Sequence, residues 1–256
     1  MTSLEILLPI AFALTVWWST TGLLLYLNRL PTRTYPVSMI GATFVVGIAV
    51  AFIEVSFLKA TPAGAYLGFL GAVLLWGWLE LGYLMGFLAG PVRTPCPPEL
   101  QGWRRFIRAV AVGLYHELAI IACGVPLLIL ASDAVSSVAA WTFCTLWVMR
   151  WSAKLNLYFG VRNLDMELVP DRLRYLVTYM GTKPMNPLFP ISVTCGSVLV
   201  VYHIVELWQT TEPGMGISAV LLATITTLGV LEHWFLVVPM RESRLWRWTL
   251  RDRAAA

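Results

Sequence analysis

Long apolar runs dominate this sequence, and each is close to the length that a helix needs to cross a membrane. About 20 helical residues cover the roughly 30 Å of hydrocarbon in a bilayer. Runs of that length occupy 5–28, 36–60, 63–89, 106–131, 134–151, 189–210 and 215–238. The pattern predicts an all-α polytopic membrane protein with seven transmembrane helices in a single helical membrane domain, 1–256. The first run lacks a basic segment before it and a small-residue cleavage site, so we expect a retained helix.

The polar connections are short, with one exception that follows the fifth apolar run and covers 152–188. Within it, apolar residues recur with helical spacing near 171–181, which predicts an amphipathic helix lying along the lipid headgroups. The last stretch, 239–256, combines Trp246 and Trp248 with several arginines. Tryptophan and arginine together favour the membrane interface, so the sequence predicts a basic interfacial tail.

The distribution of basic residues predicts how the helices are oriented. Cytoplasmic loops of membrane proteins carry an excess of Lys and Arg. If the N-terminus lies outside, 17 of the 18 Lys and Arg residues fall on one side, and Lys59 alone falls on the other. An incorrect helix count would mix the two sides. We therefore expect a periplasmic N-terminus and a cytoplasmic C-terminus.

Composition agrees with a membrane protein and excludes a soluble domain. Hydrophobic residues make up 58% of the chain and charged residues only 12%, whereas soluble domains are about 25% charged. The net charge of +4 follows from the basic cytoplasmic loops, so we expect the lipid bilayer and no nucleic acid as a partner. The four cysteines show no CxxC spacing, and we expect no disulfide.

The third apolar run has small residues at helical spacing. Gly64, Gly68 and Ala72 follow one ridge, which continues to Trp76 and Glu80. Small residues on a ridge let helix backbones approach closely. The spacing predicts a central position for this helix in the bundle.

Acidic and imidazole side chains lie inside the predicted helices, where ionised groups are costly. No Lys or Arg is expected deep enough to neutralise them. A rise of about 1.5 Å per residue divides them into two groups by depth. The inner group, expected to hold a cofactor or metal, is Glu80, His116, Glu117, Glu232 and His233. The outer group is His203, Glu206 and Glu54.

Three ways of offsetting the cost of burying these side chains in the membrane remain open. Protonated carboxylates could hydrogen-bond to neutral histidines. A divalent metal, iron or zinc, could take carboxylate and imidazole ligands, as in di-metal helix bundles. Such sites use two Glu-x-x-His motifs, whereas this chain has only one, in reverse order, at His203 and Glu206. A histidine could ligate the magnesium of a chlorophyll-type pigment, with Gly229 leaving room beside His233 for the macrocycle. The metal alternative predicts a membrane metalloenzyme, an oxidoreductase acting on a tetrapyrrole or lipid.

The stretch RWSAKLNLYFGVRNL, followed by ELVPDRLRYL, resembles the signature region of the PuhE family of photosynthetic complex assembly proteins from purple and related bacteria. The resemblance covers the whole chain, including the YHEL segment. It implies an inner or intracytoplasmic membrane protein that acts in assembly of the reaction centre and light-harvesting antenna, or in modulating bacteriochlorophyll supply. The implied ligand is bacteriochlorophyll or a precursor.

The same resemblance implies protein partners, namely reaction-centre or light-harvesting subunits or proteins of bacteriochlorophyll synthesis. A polar cytoplasmic surface is the expected place for them to bind. The candidate residues of this partner surface are Arg150, Lys154, Asn156, Arg162, Arg172 and Arg174.

Overall fold

The computed structural model describes residues 2–164, 166, 168–239 and 245–246. These residues form eight α-helices and two short 3₁₀ helices, and no named strand occurs among them. The α-helices are α1 Ser3–Arg29, α2 Tyr35–Leu58, α3 Pro62–Leu84, α4 Gly102–Val112, α5 Leu114–Ala131, α6 Val138–Phe159, α7 Leu188–Gln209 and α8 Pro213–Phe235. The 3₁₀ segments are Thr32–Thr34 and Asp171–Tyr179.

Six of the helices are long and apolar enough to cross a membrane, namely α1, α2, α3, α5, α7 and α8. The protein is therefore a multi-pass membrane protein. The helix α6 is not among the six, although it has 22 residues. Its last turns carry Arg150, Lys154 and Asn156, which lower its hydropathy. The sequence pattern ended this helix near 151, but the helix continues to Phe159.

The end of α6 is fixed by a glycine. Gly160 has a φ of 111°, a conformation that residues with a Cβ rarely adopt. Its neighbourhood is also crowded, because a Cβ there would lie 3.2 Å from the Gly181 carbonyl carbon. The polar connection therefore begins at Gly160 and not at residue 152, and residues 152–159 belong to the helix.

The predicted fourth helix, 106–131, is wrong as a single element, because the structure divides it at Gly113 into α4 and α5. The reason is the arrangement of charge on α4. Its arginines alternate with Trp103, Phe106 and Ile107, so one face is apolar and the other is basic. A helix with that pattern is typical of the membrane interface. Of the two helices, only α5 is long and apolar enough to cross a membrane.

The central position predicted for the third helix is confirmed. Most of α3 is buried, and it packs against α1, α2, α5, α6 and α8. A Cβ on Gly71 would lie 2.7 Å from the Ala49 carbonyl oxygen of α2. Gly71, which precedes the ridge residue Ala72 but was not itself in the predicted ridge, thus lets the backbones of α2 and α3 touch.

The segment predicted as an interfacial helix near 171–181 is a 3₁₀ helix that packs on the protein. Its Leu173 is buried in a cluster with Tyr83 and Ala89. Arg172 donates to the Met85 carbonyl oxygen at 3.1 Å and to the Tyr35 hydroxyl. The segment therefore closes one end of the helix bundle. The basic tail predicted over 239–256 lies outside the described residues apart from 239, 245 and 246.

Removing the Tyr35 hydroxyl is expected to loosen this closure. Tyr35 is buried, donates to the Asn28 carbonyl oxygen at 2.6 Å and accepts from Arg172. Because Tyr35→Phe leaves both partners unsatisfied, we expect a loss of about 1–2 kcal/mol in the free energy of unfolding, measured in detergent. Tyr26→Phe, at a half-exposed tyrosine of α1, is the control and should change little. Equal effects of the two variants would contradict this role for Tyr35.

Candidate functional site

Two ion pairs join α6 to its neighbours at one end of the bundle. Arg150 Nη2 lies 3.0 Å from Glu80 Oε2 of α3, and Lys154 Nζ lies 2.5 Å from Glu117 Oε1 of α5. The expectation that no Lys or Arg reaches the acids is therefore wrong. Arg150 and Lys154 are four residues apart, so they share one face of a helix that continues beyond residue 151. The i, i+4 spacing of Arg150 and Lys154 was the sequence signal that both could reach acids of neighbouring helices.

Both oxygens of the Glu117 carboxylate accept a hydrogen bond. Its Oε1 accepts from Lys154, and its Oε2 accepts from Trp151 Nε1 at 2.5 Å. The side chain of Glu117 is 11% exposed and that of Lys154 is 28% exposed, so the pair is largely removed from solvent. A largely buried pair of this kind depends on both partners being present.

His116 lies between the two ion pairs and is fully buried. Its ring packs against the Tyr83 ring, with centroids 4.6 Å apart and an angle of 31° between the ring planes. Its Nδ1 is 3.3 Å from Lys154 Nζ. Because the ammonium can only donate, Nδ1 accepts, and the proton of the neutral ring is on Nε2.

The protonated Nε2 of His116 faces Glu80 Oε1 at 3.9 Å. Among the described residues, neither of these two buried atoms has a hydrogen-bond partner. The network thus runs from Arg150 through Glu80 and His116 to Lys154 and Glu117. Two acids, two bases and a neutral imidazole give it no net charge.

Of the other two members of the inner group, His233 lies outside this network, and Glu232 acts on it through Arg150. His233 Nδ1 is 2.8 Å from the Gly229 carbonyl oxygen, and its Nε2 is 2.9 Å from Ser152 Oγ. Glu232 is half-buried and interacts electrostatically with Arg150. The five side chains of the inner group therefore do not surround one centre.

The outer group is also divided. His203 Nδ1 lies 3.0 Å from Glu206 Oε2, one turn further along α7, and Tyr202 donates to the other oxygen of that carboxylate at 3.0 Å. His203 is buried and Glu206 is half-buried. Glu54 is exposed on α2. A histidine and glutamate of one helix face thus pair with each other, as their spacing allows.

The residues do not fit a metal centre. Among the described residues, no three His, Cys, Asp or Glu side chains are grouped so that they could hold a metal ion. Glu80 and Glu117 are each neutralised by a cation of the protein, and the side chains nearest to His116 include Lys154. Ammonium and guanidinium groups beside the carboxylates oppose binding of a further cation. Within the part of the chain that the structure describes, the metalloenzyme hypothesis therefore lacks a ligand set.

Two of the histidines, His116 and His233, also do not fit axial ligation of a pigment magnesium. Both ring nitrogens of His233 are engaged by protein atoms. The space expected beside Gly229 is filled, because a Cβ there would lie 2.7 Å from the terminal methyl carbon of Met149. His116 is enclosed between Tyr83 and the ion pairs.

The residues expected to form a partner surface fall into two sets. Arg162 and Arg174 are exposed, and Arg174 Nε forms an ion pair with Asp171 Oδ1 at 2.9 Å on the protein surface. The other members are used within the protein: Arg150 and Lys154 in the ion pairs, Arg172 at Tyr35 and Met85, and Asn156 in a buried network with Ser192 and Asn186. Asn156 is fully buried, so it does not belong to a surface.

A cleft opens directly beside the network, and sequence reasoning missed it. The cleft has a cavity volume of about 130 Å³, opens to the surroundings, and lies between α4, the ends of α5 and α6, and the 3₁₀ segment. Most of its lining is apolar or aromatic, with Glu117 and Lys154 as its charged residues. The signal that could have revealed it is the amphipathic pattern of α4, which separates α4 from the bundle and lets it form a wall.

Residues 3–256 match the DUF3623 family, which is described as proteins of unknown function. The chain belongs to this family. It is also 35% identical, over 92% of its own length and 87% of the relative's, to the "Uncharacterized 30.4 kDa protein in puhA 5′region" of Rhodobacter capsulatus. The resemblance to the PuhE family is thereby confirmed. No solved structure matches this DUF3623 protein.

Proposed function

We propose that this DUF3623 protein crosses the inner membrane seven times, with its N-terminus in the periplasm and its C-terminus in the cytoplasm. The seventh span is α6, whose 22 residues extend over about 33 Å. It packs against α3, α5, α7 and α8, and its two charges are neutralised by Glu80 and Glu117. Neutralised charges greatly reduce the cost of placing α6 in the membrane.

In this topology the ion-pair network and the cleft lie near the cytoplasmic face. The network includes the last turns of α3 and α6 and the first turn of α5, which meet at the same end of an antiparallel bundle. Exposed basic residues lie at that end of the bundle, Arg162 and Arg174 among them. Lys59 follows the last residue of α2 and lies at the opposite end of the bundle. The distribution agrees with the excess of positive charge in cytoplasmic loops.

The proposed role is in the assembly of bacterial photosynthetic complexes, the reaction centre with its light-harvesting antenna, or in modulating the supply of bacteriochlorophyll. One observation carries this proposal: the relative from Rhodobacter capsulatus lies in the puhA 5′ region, within a photosynthesis gene cluster. Proteins of such an assembly pathway must bind the subunits or enzymes that they bring together. The exposed arginines of the cytoplasmic face offer a surface for acidic partners.

Co-purification from the phototrophic host tests the proposal. A tagged chain, extracted in mild detergent, should bring with it reaction-centre or light-harvesting subunits or enzymes of bacteriochlorophyll synthesis. The variant Arg162→Glu with Arg174→Glu is expected to reduce their recovery by about tenfold, because reversed charges oppose an acidic surface. The measurement is quantitative mass spectrometry of the eluate.

Lys59→Glu provides the matched control, since it reverses an exposed basic residue on the other side of the membrane. It should leave recovery of the partners unchanged. Recovery of no photosynthetic protein, together with normal photosynthetic complexes in a deletion strain, would contradict the assembly role. Equal losses in both variants would contradict the cytoplasmic partner surface.

A further inference from the structure

Helix α4 presents an exposed pair of apolar side chains. Trp103 and Ile107 are four residues apart on one side of the helix, and they are 71% and 52% exposed. Phe106 and Ala109 of the same helix line the cleft and therefore face the protein. The Trp103 ring stacks on the Phe106 ring, with centroids 5.2 Å apart. An exposed tryptophan beside an aliphatic side chain on an amphipathic helix is typical of insertion into a lipid surface.

The connection to α5 places α4 at the level of the lipid headgroups. Helix α4 ends at Val112, and α5, which is long and apolar enough to cross a membrane, begins at Leu114. Gly113 is the single residue between them. Because a span of 18 residues uses its whole length to cross the hydrocarbon, its first turn lies close to the headgroups, and the end of α4 lies there with it.

The three arginines of α4 have different surroundings, and the first of these is set by the protein. Arg105 Nη2 donates to the Tyr179 carbonyl oxygen at 2.9 Å, and its guanidinium lies 5.2 Å from the centre of the Tyr158 ring. These contacts hold α4 against the 3₁₀ segment and α6. Arg105 therefore fixes the helix and takes no part in the surface described next.

Arg104 and Arg108 are one turn apart on another side of α4 and have few contacts. Arg104 is exposed, and its side chain makes no hydrogen bond or ion pair within the described residues. In the same part of the chain, the guanidinium of Arg108 makes one long hydrogen bond, from Nη2 to Thr94 Oγ1 at 3.4 Å. Its Nε has no partner there. Both guanidinium groups therefore lack the acceptors that such groups normally bind.

The charge of this surface has no local counter-ion. Helix α4 contains three arginines and no acidic residue. Arg93, which precedes the Thr94 that Arg108 contacts, adds a further exposed cation. Among the described residues, none of Arg93, Arg104 and Arg108 forms an ion pair, and neither does the nearby Glu99. An excess of positive charge beside an inserted tryptophan favours an anionic lipid headgroup.

The spacing of the two arginines suits one phosphate group. Side chains one turn apart on a helix start about 5–6 Å from each other, so the guanidinium groups of Arg104 and Arg108 can converge on a single anion. Guanidinium binds phosphate through paired N–H···O bonds. A choline headgroup carries a cationic trimethylammonium beside its phosphate, which the arginines repel. The arrangement therefore favours a headgroup with a net negative charge.

We propose that α4 binds an anionic phospholipid, with the headgroup phosphate between Arg104 and Arg108. Trp103 and Ile107 insert beside the acyl chains of the same lipid layer. The inference goes beyond the assembly role and does not rest on it, because it concerns a lipid and needs only that α5 crosses the membrane.

Titration of the delipidated full chain with lipid, followed by native mass spectrometry, tests the proposal. The probes are dioleoyl phosphatidylglycerol and dioleoyl phosphatidylcholine, which share their acyl chains and their phosphate and differ in net charge. At about fivefold for each arginine near a lipid surface, phosphatidylglycerol should bind at least about tenfold more tightly. Arg104→Gln alone should reduce this preference by about fivefold, and Arg104→Gln with Arg108→Gln should leave less than about twofold.

Arg33→Gln with Lys183→Gln is the matched control, because it removes the same charge from two exposed residues outside α4. It should leave the preference for phosphatidylglycerol unchanged. Arg104 makes no contact within the described residues, so its single variant folds normally and reports on binding alone. The proposal is overturned if the two lipids bind equally, if the control loses the preference as fully as the α4 variant, or if inorganic phosphate binds and phosphatidylglycerol does not.

Discussion

Replacing Lys154 with methionine should destabilise the protein by about 3 kcal/mol, because it leaves the Glu117 carboxylate largely buried without its counter-ion. Glu117 would keep the hydrogen bond from Trp151 and the contact of its Oε1 with His116 Nδ1 at 3.9 Å. We expect the lower end of the range known for broken buried pairs, since the Lys154 side chain is 28% exposed. The measurement is the free energy of unfolding in detergent micelles, supported by the melting temperature.

The double variant, Lys154→Met with Glu117→Gln, separates loss of the pair from loss of lysine packing. It removes the stranded charge, so it should recover much of the stability lost in Lys154→Met. Lys183→Met, at an exposed lysine, is the matched control and should change the free energy of unfolding by less than about 0.5 kcal/mol. If the double variant is less stable than Lys154→Met alone, the electrostatic explanation is wrong.

Gly68→Ala should be the second most damaging change, costing about 1–3 kcal/mol through overpacking between α2, α3 and α6. A Cβ at Gly68 would lie 2.8 Å from Ser56 Cβ and 2.8 Å from Val138 Cγ1. A Cβ atom cannot rotate away, so α2 or α6 must shift. The readout is thermal stability together with the fraction of protein that elutes as a monodisperse species.

Gly47→Ala is the matched control, because it makes the same change inside a helix where no atom lies within 4 Å of the new Cβ. Alanine favours helix more than glycine does by about 1 kcal/mol, so this variant should be neutral or stabilising. A Gly68→Ala protein as stable as Gly47→Ala would show that α3 can move away from its neighbours, against the close packing seen here.

The site could be predicted only in part from the sequence. The pattern of polar residues in apolar runs identified Glu80, His116 and Glu117, which the structure brings together. It could not identify their compensation, because that depended on α6 continuing past its apolar residues. His233 lies near the same end of the bundle but uses its ring nitrogens in contacts with Gly229 and Ser152. Depth along a helix can be counted from sequence, whereas the direction of a side chain around the bundle cannot.

The fold, too, was determined partly by the sequence pattern and partly by tertiary structure. Hydrophobic run length and glycine spacing, which act locally, determined a multi-pass helical protein with α3 at its centre. The charge pattern of α4 already indicated that it separates from α5 at Gly113. Tertiary structure alone decided that Arg150 and Lys154 pair with Glu80 and Glu117 and that a cleft opens beside the ion pairs. The physical reason is that charge pairing and cavities arise between elements far apart in the chain, so a pattern within any one element does not contain them.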